Sequence, residues 1–156
     1  MGTVNLIILL SCLSIVANAE TKEAIKAKIA KVAIEHGEDP LLLQAIAQTE
    51  SSYSLGAVGA VGEIGLFQLR PEYHPIKKGM TVREQTLLAI KFLQKLKVSC
   101  GPRFLQCWNM GETRAKQKNF KRTRYEAKVQ NAYKNILHSR SFSSVKGTVI
   151  AHEKAK

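Results

Sequence analysis

Residues 56–65 form a loop that is rich in glycine and yet apolar between its glycines. Glycine stands at 56, 59, 62 and 65, with Ala57, Val58, Ala60, Val61 and Ile64 among them. Glycine permits positive φ and close backbone approach, whereas a solvated linker carries Ser, Lys or Glu in the gaps. The loop is therefore expected to pack between fixed elements. The element before it is legible as a helix: Asp39 offers an N-cap and Pro40 the first helical position. Leu43, Ile46, Ala47 and Glu50 then follow at i, i+3, i+4 and i+7. Glu50 thus continues the apolar stripe at the partially negative end of its helix. Burial and the helix dipole both favour its protonated form, and a carboxyl that holds its proton near neutrality can act as a general acid. A helix-terminal Glu without such a loop behind it ordinarily turns to solvent or pairs with a lysine.

The remaining pattern is helical. In residues 21–36 the apolar set Ile25, Ile29, Val32 and Ala33 has helical period, and His36-Gly37 ends it. His36 reads as a helix-end residue, since no His/Cys/Asp cluster with metal-ligand spacing accompanies it. Pro71 and His74-Pro75 mark a turn in which Tyr73 and His74 suit either a cleft wall or the turn itself. Thr81-Val82-Arg83-Glu84 is a capping box, followed by Leu88, Ala89, Phe92, Leu93 and Leu96 in a helix to about Val98. Phe104, Leu105, Cys107 and Trp108 suggest a short helix. Thr123-Arg124-Tyr125-Glu126 is a second capping box, ahead of Tyr125, Val129, Ala132, Tyr133 and Ile136 on one face. No segment alternates over strand length. The expected fold is mainly α, a single domain over 20–140, with 141–156 as a basic, flexible tail.

The residues from Asn5 to Val16 match a signal-peptide core and are too short to span a bilayer. Ala17-Asn18-Ala19 supplies an A-x-A site, so 1–19 reads as a signal peptide; the alternative is an uncleaved anchor, because no Lys or Arg precedes the apolar run. Leu9-Leu10-Ser11-Cys12 only faintly matches a lipobox. Removing 1–19 leaves Cys100 and Cys107, which are either bridged, as an oxidising compartment permits, or two buried thiols. Charge is asymmetric: 24 Lys and Arg against 12 acidic residues give +12, and from residue 114 onward 12 basic residues face only Glu126 and Glu153. The basic cluster 114–124 reads as a loop. It suits an anionic cell-wall or membrane surface, a nucleic acid, or plain solvation; nucleic acid ranks below the wall for an exported chain.

Glu50-Ser51 followed by Ala57-Val58-x-x-x-Gly62-x-x-Gly65-Leu66-Phe67-Gln68-Leu69 resembles the signature of the soluble lytic transglycosylase (SLT) domain, in the lysozyme-like superfamily of goose-type and SLT folds. Cys107-Trp108-Asn109-Met110-Gly111 stands where that family usually has Ala-Tyr-Asn-x-Gly, and Tyr125 resembles the tyrosine that reaches back to the catalytic Glu. Ordered motifs are more specific together than any one alone, and the similarity runs over roughly 21–138. It implies an enzyme that cleaves the bond between N-acetylmuramic acid and N-acetylglucosamine in peptidoglycan glycan strands, with a 1,6-anhydromuramoyl product and no cofactor or metal. Glu50 would be both acid and base. Gln68 and Asn109 would bind sugar and acetamido groups, Tyr125 would hold Glu50, Phe67 would offer apolar surface to a sugar, and Ser52, with Ser51, would support the turn. Small exported domains of this kind serve phage entry or lysis, conjugation and secretion machines, in the periplasm, cell wall or virion.

Two positions depart from the family pattern: Gly59, where Ser is common, and Glu63, where a small residue is usual. Glu63 is either a loop-surface charge or a second carboxylate in the cleft. In the second case hydrolysis, as in goose-type lysozyme, is the alternative reaction. A different class altogether is a cationic wall-binding module without activity.

Overall fold

The computed structural model describes residues 20–153, with side chains described to Arg140. The expected signal peptide lies outside the described residues. Six α-helices follow in order: α1 (Lys22–Glu35), α2 (Pro40–Ser51), α3 (Val82–Cys100), α4 (Phe104–Met110), α5 (Glu112–Gln117) and α6 (Arg124–Glu153). A 3-10 turn, Gly101–Arg103, joins α3 to α4. Among the described residues no β-strand forms, only isolated bridges Val58–Ile64 and Ile64–Leu69 inside the loop. No described helix is long and apolar enough to cross a membrane. The mainly helical expectation holds.

The helix starts are set by side-chain acceptors for otherwise orphaned N–H groups. Thr21 caps α1, and Asp39 accepts from Leu41 and Leu42 ahead of Pro40. Thr81 and Glu84 complete the expected capping box of α3. The second expected box forms only by half. Thr123 Oγ1 accepts from Glu126 N–H at 3.2 Å, but the Glu126 carboxylate is drawn to Gln106 Nε2 on α4 at 2.9 Å. A buried amide that needs an acceptor has outcompeted a solvated cap.

Helix α2 is the central element, packed against both α1 and α6, while α3 packs on α1 and α4. Leu43, Ala45, Ile46 and Ala47 are wholly buried. The α1 face of Ile25, Ile29, Val32 and Ala33 closes on them, as its period predicted. Two boundaries differ from expectation. The basic segment 114–124 is a loop only in its second half, because α5 carries it to Gln117; the buried Ala115 anchors that turn, and Lys116 pairs with Glu112 at 2.6 Å. The tail expected from 141 is a continuation of α6, which runs to Glu153. Extending an existing helix avoids the cost of nucleation, and no proline interrupts this stretch.

One side chain of α3 holds the loop between α2 and α3 by its backbone. Gln85 is 2% exposed. Its Oε1 accepts from Leu66 N–H at 2.8 Å, and its Nε2 donates to the carbonyls of Leu55 and Met80 at 3.1 and 3.0 Å. Gly65 makes room for it: the residue has φ +78°, and a Cβ there would stand 2.0 Å from Gln85 Oε1. The Gln85→Leu variant strands three backbone groups, the Leu66 N–H in a buried site and the Leu55 and Met80 carbonyls in half-buried ones, and is expected to lose about 2–4 kcal/mol of stability, read as a lower urea midpoint with unchanged slope.

Candidate active site

Glu50 sits in the last turn of α2. Directly after it the chain reverses through Ser52 (φ 53°) and Tyr53 (φ 66°), both left-handed and neither glycine, at a cost on the order of 1 kcal/mol each. The reversal is over-determined. Ser52 and Tyr53 N–H donate to Gln48 and Ala47 carbonyls. Tyr53 is buried, with Lys26 above its ring, and Ser51 Oγ donates to Leu66 O at 2.9 Å. Ser51 ties the helix end to the far side of the loop, whereas Ser52 is exposed and acts through its backbone. Of the two serines, Ser51 carries the side-chain support.

Two donors converge on the same oxygen of Glu50. Tyr125 Oη, in the first turn of α6, donates to Oε1 at 2.7 Å, and Trp108 Nε1, from α4, donates to Oε1 at 2.8 Å. No other described residue hydrogen-bonds the carboxyl, so among the described residues Oε2 has no donor. The tyrosine was expected from the motif. The tryptophan was not, and the signal for it was its place directly before Asn109, where the family has a tyrosine. Burial pushes the Glu50 carboxyl above its ordinary range. The Tyr125 and Trp108 hydrogen bonds oppose this, and the nearby charge of Glu63 adds to it. Burial first, then the charge and hydrogen bond of Glu50, also raise the Tyr125 hydroxyl far above its usual value, so it stays a donor.

The disulfide that sequence left open is formed: Cys100 and Cys107 are bridged, with Cα atoms 6.7 Å apart. It ties the end of α3 to the residue before Trp108. Phe92 packs on the Trp108 ring at 5.0 Å, and His74 meets Phe92 edge-on at 4.4 Å. Burial, then the charge of Lys95, holds His74 below its ordinary pKa. His74 thus works as an aromatic wall behind the tryptophan. Tyr73 is exposed beneath Arg70.

The other expected residues divide. Asn109 lies exposed on α4, with no hydrogen bond of its amide to any described residue. Gln68 is half-buried, with φ +46°, and its Nε2 donates to the carbonyls of Gly65 at 2.9 Å and Ala57 at 3.5 Å. Glu63 is half-buried on the same loop. Phe67 corrects an expectation: it is 1% exposed and part of the core, so it presents no surface to a sugar. The short turn 65–69 buries Leu66, Phe67 and Leu69 together, and one-dimensional spacing does not reveal that. An open groove of about 540 Å³ between α2 and α6 is lined by Gln48, Thr49, Lys128 and Asn131 among others and by none of Glu50, Gln68, Trp108 or Tyr125.

Residues 27–131 match the Transglycosylase SLT domain family. The match covers more than half of the chain, and the chain belongs to that family. No curated protein matches. Among solved structures, an inactive mutant of the lytic transglycosylase Slt from Pseudomonas aeruginosa is similar, with 21% identity, a TM-score of 0.49, and coverage of 69% of this chain. This chain spans about a fifth of that protein, 20% of its length.

Two outcomes follow from the Glu50 environment. A carboxyl whose folded pKa is raised contributes stability at low pH that is lost as pH rises through the folded value. Glu50→Gln keeps an acceptor for both donors and removes the buried charge. It is expected to melt above the parent at pH 7, with the difference closing by pH 4, in paired thermal scans. Trp108→Phe keeps the ring packing and deletes one donor to the carboxylate. Turnover is expected to fall roughly 10- to 100-fold, and the limb of the pH–rate profile set by Glu50 should move to higher pH.

Proposed function

We propose that this chain is a peptidoglycan lytic transglycosylase in which Glu50 serves in turn as acid and base. The observation that carries the reading is the arrangement at one carboxyl: half-buried, with two donors on Oε1 and none on Oε2. An oxygen that already accepts two hydrogen bonds is the carbonyl-like one, so the proton resides on Oε2. From there it passes to the glycosidic oxygen between the muramoyl and glucosaminyl sugars, and the C1–O bond breaks. The charge left on Glu50 is stabilised by Trp108 and Tyr125, while the acetamido carbonyl of the muramoyl sugar supports the electron-poor C1. Oε2 then takes the proton of the C6 hydroxyl, whose oxygen closes on C1. The product is the 1,6-anhydro sugar; no water is consumed, and Glu50 regains its proton. Asn109, exposed beside Trp108, is suited to the acetamido group.

The basic half of the chain supports action on an anionic wall, since peptide stems on the glycan carry carboxylates. The apolar run before Ala17-Asn18-Ala19 supports export to the periplasm or wall, and the Cys100–Cys107 bridge suits such a compartment. Service to a phage, conjugation or secretion machine is in keeping with a small exported domain. A second reading, hydrolysis, is favoured by one observation: Glu63 places a second carboxylate on the loop that follows Glu50, folded over Gly59, and hydrolysis takes a second carboxylate that activates water.

Mass spectrometry of muropeptides released from purified peptidoglycan separates these readings. Products one water lighter than reducing muropeptides, absent with Glu50→Gln, are expected. Reducing products establish hydrolysis instead, and intact glycan with the parent protein leaves only a wall-binding role.

A further inference from the structure

The two positions at which this loop departs from the family pattern meet in space. A Cβ on Gly59 would lie 2.2 Å from Glu63 Oε2 and 2.7 Å from Gln68 Oε1, so those two oxygens already fill the volume that a side chain at 59 would enter. The Glu63 carboxylate is folded back over the loop. Val61 N–H donates to its Oε2 at 3.2 Å, and Gly59 N–H donates to the Glu63 carbonyl at 2.8 Å. The orientation of the Gln68 amide is set by its neighbours. Because Nε2 donates to the carbonyls of Gly65 and Ala57, Oε1 must be the atom turned toward Glu63. Two acceptor oxygens therefore share one small space, and no described side chain supplies a donor between them. Acceptors held together repel unless an O–H or N–H stands between them.

We propose that Glu63 and Gln68 form a paired acceptor that takes an O–H or N–H group of the glycan on the loop side of Glu50, and that glycine at 59 is what makes room for it. This rests on the glycan reading above. Sugar hydroxyls and acetamido N–H groups are the donors such a pair selects, and a carboxylate acceptor makes the stronger kind of hydrogen bond. The pair belongs to the loop whose Leu66 carbonyl accepts from Ser51, the residue after Glu50, at 2.9 Å, which places it on the loop side of that carboxyl. The Gly59–Glu63 combination is then one unit: a carboxylate reaching over from 63 stands where a side chain rooted at 59 would otherwise stand.

Binding of peptide-free glycan strands to the full chain carrying Glu50→Gln, where turnover is removed, tests this directly. Adding Glu63→Ala is expected to weaken binding roughly tenfold. Gly59→Ser should do much the same, because the new Cβ displaces the ends of two flexible side chains without touching the core. Gly59→Ser together with Glu63→Ala should recover most of the loss, the serine hydroxyl supplying an oxygen in the vacated volume. In the Glu50 background Glu63→Ala should raise KM more than it lowers kcat. Thermal scans that agree across the variants exclude a folding effect as the cause of a loss. Unchanged affinity with Glu63→Ala overturns the paired acceptor. Losses that simply add in the combined variant overturn the shared volume. No glycan binding by any variant, Glu50→Gln alone included, overturns the glycan reading and the pair with it.

Discussion

Everything around the site depends on keeping one carboxyl half-buried at a helix end without abolishing its ability to ionise. Burial alone would make Glu50 a permanent acid, while two charge-stabilising donors in solvent would make it a permanent base. The structure combines the two, with desolvation raising its proton affinity and Tyr125 and Trp108 limiting the rise. Because both donors engage Oε1, the two oxygens stand in different surroundings. A group that must give and then take a proton in one cycle needs this intermediate balance.

Holding that balance requires three distant segments to arrive at one point. Tyr125 comes from α6, 75 residues along the chain from Glu50, and Trp108 from α4, 58 residues along. Each is backed independently. The Cys100–Cys107 bridge and Phe92 fix the tryptophan. Glu126, beside Tyr125, is bonded to Gln106 of α4, which couples the starts of α4 and α6. On the other side, Gln85 and Ser51 carry the loop by its backbone. Polar side chains satisfied by main-chain groups rigidify such a loop more than apolar packing would, because each contact has a direction.

Much of this was legible beforehand, and the misses have a common character. Helices α1, α2 and α3 were readable because their caps and apolar periods are local properties of a few consecutive residues. Tyr125 was readable from its motif and its helical face. Phe67 was misassigned because the path of a short turn, and so the side to which each residue points, depends on what the turn rests on. Glu126 looked like a capping residue because Thr123 lies three residues before it, yet the buried Gln106 of another helix claimed it. The continuation of α6 past 141 escaped because fading apolar period was read as the end of the helix, whereas a helix already begun needs no new nucleus to go on.

By itself the sequence determined that the chain is mainly helical, that a carboxyl stands at the end of a core helix ahead of a packed glycine loop, and that the residues of the SLT pattern are present in order. These are consequences of spacing and residue type, which act over one or two turns. Only the tertiary structure decided that Trp108 shares Glu50 with Tyr125, that Cys100 and Cys107 are joined, that Phe67 is core, and that Glu63 stands in the space above Gly59. Each of these is a contact whose energy depends on distance and direction between segments that sequence order leaves free, so no local rule could settle it.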